Sequence, residues 1–409
     1  MTETVDTLVV GAGPAGLAVS EHLGRLGVPH LVLERHRIAE RWRSERWDSL
    51  VANGPAWHDR FPGMTFSDLD DHAFAPRDRI VAYFEDHARE VGAPVRCGVE
   101  VRAARKVGDR FVVETSEGVV EATNLVAATG PFQRPVVPDM VPREAVAFQI
   151  HSSGYRNPGQ LPEGAVLVVG AGSSGAQIAD ELGRAGRRVF LSVGPHDRPP
   201  RRYRGRDFVW WLGVLGHWDA TAPSPDREHV TIAVSGAEGG RTMDFRRLAA
   251  QGVTLLGRAE GFEGGRLRLA PDLQRNVARG DANYLSVLDD ADAYARREGL
   301  EMPEEPEARV MLPDPESLTT PILDLDLAAE GVASIIWATG YALDFGWLQV
   351  DAFDAKGRPV HHRGVAEVPG LYFVGLPWLA SRASAFIWGA WRDAEYLAGR
   401  IAARQVETA

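Results

Sequence analysis

Two glycine-rich runs carry the residues best suited to chemistry: Gly11-Ala12-Gly13-Pro14-Ala15-Gly16 and Gly170-Ala171-Gly172-Ser173-Ser174-Gly175. Each follows an apolar strand-like run, Leu8-Val9-Val10 or Val166-Leu167-Val168-Val169, and opens an amphipathic segment. In such a loop the first glycine allows a tight turn out of the strand. The second lets the backbone approach a pyrophosphate, and the third lets the helix pack closely on the strand. Free N–H groups and the positive end of the helix dipole then face the phosphates. One such loop binds one dinucleotide. Two in one chain bring two dinucleotides together, and the use of that is electron transfer between them. The chain therefore reads as a redox enzyme using a flavin, FAD, and a nicotinamide.

The residue ending the second strand of each unit separates the two cofactors. His30-Leu31-Val32-Leu33 ends at Glu34, beside Arg35. A carboxylate there accepts hydrogen bonds from a ribose diol. Arg188-Val189-Phe190-Leu191 ends at Ser192, so no carboxylate repels a 2′-phosphate, and Arg198, Arg201 and Arg202 follow. Guanidinium groups pair with phosphate in bidentate fashion. The second loop is accordingly read as an NADPH site, with a solvated basic loop as the other reading of these arginines.

The elements holding the loops predict an α/β protein with two Rossmann-like dinucleotide-binding domains. The FAD domain is discontinuous, over residues 1–142 and 325–409, and the NADPH domain is inserted over 143–324, with a substrate or lid region at about 205–310. A helix is expected over Arg79–Val91, then a meander of Gly98–Val107, Arg110–Thr115 and Val119–Glu121. A strand ends in Ala128-Thr129-Gly130, placing Thr129 and Gly130 at a cofactor, and the proline-rich run Pro131–Pro142 is a connector. Ser334–Tyr341 repeats the Ala-Thr-Gly ending as Ala338-Thr339-Gly340, and a last helix starts near Ser384. The aromatic run Phe208–Leu215, with Trp218, reads as a buried helix, an apolar substrate wall or a membrane contact.

Composition narrows the class. The chain has 409 residues, 44% hydrophobic and 25% charged, as in globular proteins. A net charge of −11 argues against a nucleic-acid partner. One cysteine, Cys97, excludes a disulfide framework and a paired-cysteine redox site; its place in Pro94–Cys97 predicts a buried, inert thiol. No apolar run is long enough for a membrane span, the N-terminus is acidic and no metal-ligand spacing stands out, so a cytoplasmic, metal-free enzyme is expected.

Val169–Leu182 resembles the VGxGNSGxDIAxEL motif of class B flavin-dependent monooxygenases, the flavin-containing and YUCCA-type group related to Baeyer–Villiger monooxygenases. Ser173 stands at the Asn and Gln177 at the Asp. Ala338-Thr339-Gly340-Tyr341 matches the family's ATGY. Trp42-Arg43 to Asp48-Ser49-Leu50 is similar to GGxWR…YxSL, with Glu40-Arg41 in place of two glycines. His151 and Tyr155 keep the HxxxY half of FxGxxxHxxx(Y/F/W), while Ala145 and Ala147 occupy its Phe and Gly positions. The resemblance covers most of the chain. It implies that NADPH reduces FAD, that reduced flavin takes up O2 as a C4a-(hydro)peroxide, and that one oxygen atom passes to a small organic substrate by N-, S- or Baeyer–Villiger oxygenation. It places Asn53 as a hydrogen-bond donor to that adduct, with a turn asparagine as the other reading. Arg41 and Trp42 fall at the flavin or its diphosphate, Val101 at the adenine, and Trp388 at the start of a helix facing the isoalloxazine. His151 and Tyr155 become linker residues near the chemistry. The alternative is an NADPH oxidase or diaphorase that makes hydrogen peroxide. The expected partners are a small-molecule substrate and O2, with a homodimer left open.

Overall fold

The computed structural model describes residues 2–221 and 231–408. A ten-stranded sheet is built around Thr2–Val10, which pairs in parallel with His30–Glu34 on one side and Gly118–Ala127 on the other. Leu371–Phe373 extends this sheet in parallel beside Gly118–Ala127, and Val101–Val107 and Arg110–Thr115 add the antiparallel meander. The central strand is apolar on successive residues because helices cover one face and the meander the other; Leu8 and Val9 are wholly buried. Helix Pro14–Arg25 starts with proline at its first turn, where a missing N–H costs nothing, and packs against the last helix, Ile387–Thr408.

A second sheet of five parallel strands repeats the plan. Its order is Val253–Leu256, Val189–Ser192, Ala165–Val169, Val332–Trp337 and Phe148–His151. Helix Ser173–Arg184 follows its central strand as Pro14–Arg25 follows the first. Val332–Trp337 lies between two strands of this sheet, with Ile335, Ile336 and Trp337 fully buried, and Asp324–Asp326 pairs with Arg266–Leu269. The expected boundary at residue 325 is therefore corrected. The second sheet runs on to Trp337, because that strand satisfies its backbone between Ala165–Val169 and Phe148–His151.

The helix at Arg77–Glu90 and the meander fall within a few residues of expectation. The 25-residue helix Leu273–Arg297 was not anticipated. Its buried Leu273, Val277, Gly280, Leu288, Ala291 and Ala295 recur at helical spacing, but polar residues dilute the pattern. Cys97 is exposed, correcting its expected burial: its strand Val95–Cys97 is the edge of the first sheet. No described helix is long and apolar enough to cross a membrane.

Candidate functional site

The two glycine loops have the same local geometry. Gly11 and Gly170 adopt φ of +108° and +113°, values open to glycine but strained for other residues. A methyl group on Gly16 would overlap the Gly11 carbonyl oxygen, and one on Gly175 would overlap that of Gly170. Each loop thus turns back beneath the first turn of its helix, leaving that helix's amides facing outward. Gly13 differs from Gly16: nothing lies within 4 Å of the position a methyl there would take.

A cavity of about 1060 Å³ opens at the first loop. That exceeds the roughly 300–1,000 Å³ of ordinary small-molecule pockets and suits an extended dinucleotide. Gly11, Gly13, Pro14, Ala15, Glu34, Arg35, Arg41, Trp42, Val101, Thr129 and Gly130 all line it; Gly16 packs behind them. Glu34 is fixed by two backbone amides, accepting from Ala12 N and His36 N at 2.9 Å each. Arg41 pairs with Glu45 at 2.5 Å and donates to the Gln133 carbonyl at 3.1 Å. Gln133 in turn donates to Thr129 Oγ1 and the Gly130 carbonyl, both at 2.8 Å. Arg46, Phe132, Trp347 and Phe386 also line the cavity. Sequence reading did not name them as cofactor contacts: Arg46 and Phe386 lie in segments it did assign to the flavin, whereas Phe132 and Trp347 come from loops with no such assignment.

The last helix meets this cavity through Ala385, Phe386, Ile387 and Ala390. Trp388 is absent from its lining, which corrects the expectation: its indole N–H donates to His58 Nε2 at 2.9 Å, on another side of the helix.

At the second loop the chain itself engages several expected cofactor contacts. Ser173 Oγ donates to the Ile232 carbonyl at 2.8 Å and accepts from Val234 N at 3.3 Å. Thr231–Ile232 runs beside His196–Asp197, and Thr231 packs over Gly172. The Ser173 side chain is thus tied to this strap, while Gly172 and Ser174 stay half-buried on the loop. Ser192 is buried, with its hydroxyl donating to the Gly257 carbonyl at 2.9 Å and accepting from Ala259 N at 3.2 Å, so it too faces its neighbouring strand.

Two of the three arginines are likewise corrected. Arg198 is 2% exposed and pairs with Asp281 at 2.5 Å; Arg201 is 3% exposed and pairs with Asp207. A buried guanidinium without its carboxylate would be strongly destabilising, so these charges serve the fold. Arg202 is exposed and donates to the Gly239 carbonyl at 2.9 Å. Arg258, unremarked in the sequence, lies along Gly194 just past the same strand, where a Gly194 methyl would meet its Cγ at 3.5 Å. Its guanidinium is held on one edge by Asp272 at 2.8 Å and its side chain is 48% exposed.

Asn53 sits at the seam between the two units. Its side-chain oxygen accepts from Gln177 Nε2 at 3.0 Å and its carbonyl from Arg201 Nη1 at 2.5 Å. His151 clasps the connector: Nε2 donates to the Gly340 carbonyl at 3.0 Å, and Nδ1 accepts from Ser153 N at 3.1 Å. Burial holds its pKa below the usual imidazole value, in keeping with this neutral form. Gly340 O also accepts from Val136 N at 3.0 Å, and Thr339 Oγ1 donates to the Val136 carbonyl at 2.5 Å. Ala338 N bonds the Val169 carbonyl at 2.8 Å, so Ala338-Thr339-Gly340 ties the connector to the second sheet. Tyr155 is fully buried and donates to Glu181 Oε2 at 2.6 Å. Burial, reinforced by that carboxylate, pushes its phenol pKa up. It is a core residue, which corrects its placement near the chemistry.

Paired dinucleotide folds with matching glycine loops define a flavoprotein oxidoreductase. A profile described as pyridine nucleotide-disulphide oxidoreductase matches residues 8–204. An uncharacterized CzcO-like oxidoreductase of Geobacillus kaustophilus is 33% identical over 98% of this chain and 99% of its own. The rice indole-3-pyruvate monooxygenase YUCCA1 is 35% identical over 46% of this chain and 47% of its own. A flavin-containing monooxygenase from Stenotrophomonas maltophilia shares the fold, with a TM-score of 0.68 and 19% identity over 98% of this chain and 99% of its own. The chain belongs to the family of CzcO-like oxidoreductases.

Gly13→Val and Gly16→Ala separate ligand from fold. Gly13→Val should match the flavin-stripped parent in urea midpoint yet purify without flavin colour, because its side chain enters the cavity. Gly16→Ala should lose about 1–3 kcal/mol of stability, through overpacking against Gly11. Tyr155→Phe should leave turnover intact and cost about 1.5–3 kcal/mol in urea unfolding, the worth of a hydrogen bond to a carboxylate.

Proposed function

We propose that this protein is an NADPH-dependent FAD monooxygenase acting on a small organic substrate. The observation that carries the reading is the pair of matching loops, Gly11–Gly16 and Gly170–Gly175, on two sheets joined at a seam through Asn53, Gln177 and Arg201. Gly11, Gly13, Pro14 and Ala15 would hold the FAD pyrophosphate, Glu34 the ribose diol, and Val101 the adenine. Arg41, Trp42 and Phe386 would frame the ring end. Gly170, Gly172, Ser174 and Gly175 would hold the nicotinamide dinucleotide by backbone amides. Bound flavin supplies hydride acceptance from the nicotinamide and transfer of one atom of O2 to the substrate.

The protein's own task is placement and exclusion of water. The clasp of His151 on Gly340 and the ties of Thr339 keep the connector closed over the second unit. Asn53, with its side-chain oxygen fixed by Gln177, keeps the seam between the two units in register. The first turn of Ile387–Thr408 borders the cavity, and its dipole would favour negative charge on reduced flavin. The choice of NADPH over NADH rests on the missing carboxylate at 192 and on Arg258, in place of Arg198 and Arg201. A second reading, a peroxide-producing NADPH oxidase, is favoured by Ala145 and Ala147 at the fingerprint's Phe and Gly positions.

Anaerobic NADPH should bleach the flavin of the purified protein, and re-aeration with a suitable substrate should yield oxygenated product. Stoichiometric hydrogen peroxide whatever substrate is offered would favour the oxidase. A protein that takes up no FAD and leaves NADPH untouched would refute both readings. Arg258→Ala should raise the KM for NADPH roughly tenfold while changing that for NADH little, the loss of one charged hydrogen bond to phosphate; an unchanged ratio of the two would remove Arg258 from the site.

A further inference from the structure

Beside the large cavity lies a second one of about 430 Å³, and four of its lining residues are tryptophans. These are Trp57, Trp210, Trp218 and Trp388, with His58 between and Arg60 at the rim. They come from three separate segments: the loop after Pro55, the helix Phe208–Val214 with the turn that follows, and the start of Ile387–Thr408.

The polar atoms of the inner wall are already spent. The Trp388 indole can only donate, so His58 Nε2 accepts, and His58 Nδ1 donates to Asp59 Oδ1 at 2.7 Å. Both ring nitrogens are thereby engaged, and the ring is stacked on Trp218 with centroids 5.3 Å apart and planes 27° apart. Trp218 Nε1 donates to the Val209 carbonyl at 3.2 Å. The inner wall therefore offers ring faces and edges, with few hydrogen bonds to give, and it selects a flat apolar body. The rim is of opposite character. Arg60 donates through Nε to the Trp57 carbonyl at 3.0 Å and makes no ion pair among the described residues. Arg206 lies over the Trp210 ring at 5.1 Å, outside the lining of the cup itself. In a chain of net charge −11, an arginine at the mouth with no ion pair among the described residues favours an anion.

The cup is joined to the large cavity through one short piece of backbone. Phe386 and Ile387 line the large cavity, and Trp388, next in the chain, lines the cup. The Phe386 ring touches Trp218, with centroids 4.8 Å apart. The same aromatic cluster packs on Ile232 and Val234, the strap bonded to Ser173 of the second loop. A ligand in the cup would rest against elements that border both dinucleotide sites.

We propose that this cup is a binding site for a planar aromatic carboxylate, with the ring system between the tryptophans and the acid group at Arg60. For its place in catalysis this rests on the monooxygenase reading, where such a molecule would be the substrate class; binding itself requires no turnover.

The test is calorimetric titration of the FAD-saturated protein with 2-naphthoate, and with neutral 2-naphthol as its uncharged counterpart. One 2-naphthoate site is expected. Trp57→Ala should weaken both probes about fivefold or more. Arg60→Gln should weaken 2-naphthoate by about tenfold and leave 2-naphthol nearly unchanged. Flavin absorbance and the urea midpoint, read on each variant, confirm that the protein is folded. No binding of 2-naphthoate, or binding that both substitutions leave intact, would overturn the cup as a site. Flavin bleaching by NADPH is scored separately, so a protein that reduces its flavin but ignores 2-naphthoate loses the cup and keeps the enzyme, and one that binds 2-naphthoate without flavin reduction does the reverse.

Discussion

The structure depends on a contact that tolerates no side chain. In each unit the helix after the central strand lies so close to the loop carbonyl that a single methyl at Gly16 or Gly175 would overlap it. That approach brings the first-turn amides to the end of the sheet, where they point at whatever lies beyond the strands. Anion binding at that place follows from the backbone alone, with the helix dipole in support. The repeated Ala-Thr-Gly endings belong to the same device. Methyl groups at Gly11 and Gly170 would run into the carbonyls of Ala128 and Ala338, so the third strand of each unit closes behind its loop.

The two units are then locked to each other by polar groups that cannot be spared. Arg201 is buried, paired with Asp207 and bonded to the Asn53 carbonyl; Gln177 bonds the Asn53 side chain; Ser49 and Tyr155 both bond Glu181. Buried charge must be matched by opposite charge, and buried amides by partners. These residues therefore set the spacing between the loops at the cost of being available to a cofactor. Arginines that read as phosphate ligands in the sequence became structural cross-links, Arg198 to Asp281 on a later helix and Arg201 to nearby Asp207.

Much of the first site was legible. Its cavity is lined by eleven residues named from motif and strand-end position, since a glycine loop, a strand-end carboxylate and the strand ending in Thr129-Gly130 are adjacent to the ligand by construction of the fold. The second site was legible in its backbone and misread in its side chains. Ser173 is tied to a strap from residues 231–234, Ser192 to the neighbouring strand, and Arg198 to Asp281 on a long helix that the sequence pattern had not revealed. The aromatic run at 208–215 shows both faces of the ambiguity: Phe208, Val209, Trp211 and Leu212 are core, while Trp210 lines the cup.

What the amino-acid order determined by itself was local: two strand–glycine–helix units, the acidic end of one ribose strand, the linker motif and the family they resemble. These depend on neighbours a few residues apart, and backbone sterics decide them. What only the tertiary structure decided was the pairing of long-range partners. Which arginine meets a carboxylate, which tryptophan turns toward His58 and not toward the large cavity, and which sheet claims Val332–Trp337 are settled by the packing of whole segments, some of them hundreds of residues apart, and no spacing in the sequence records the winner.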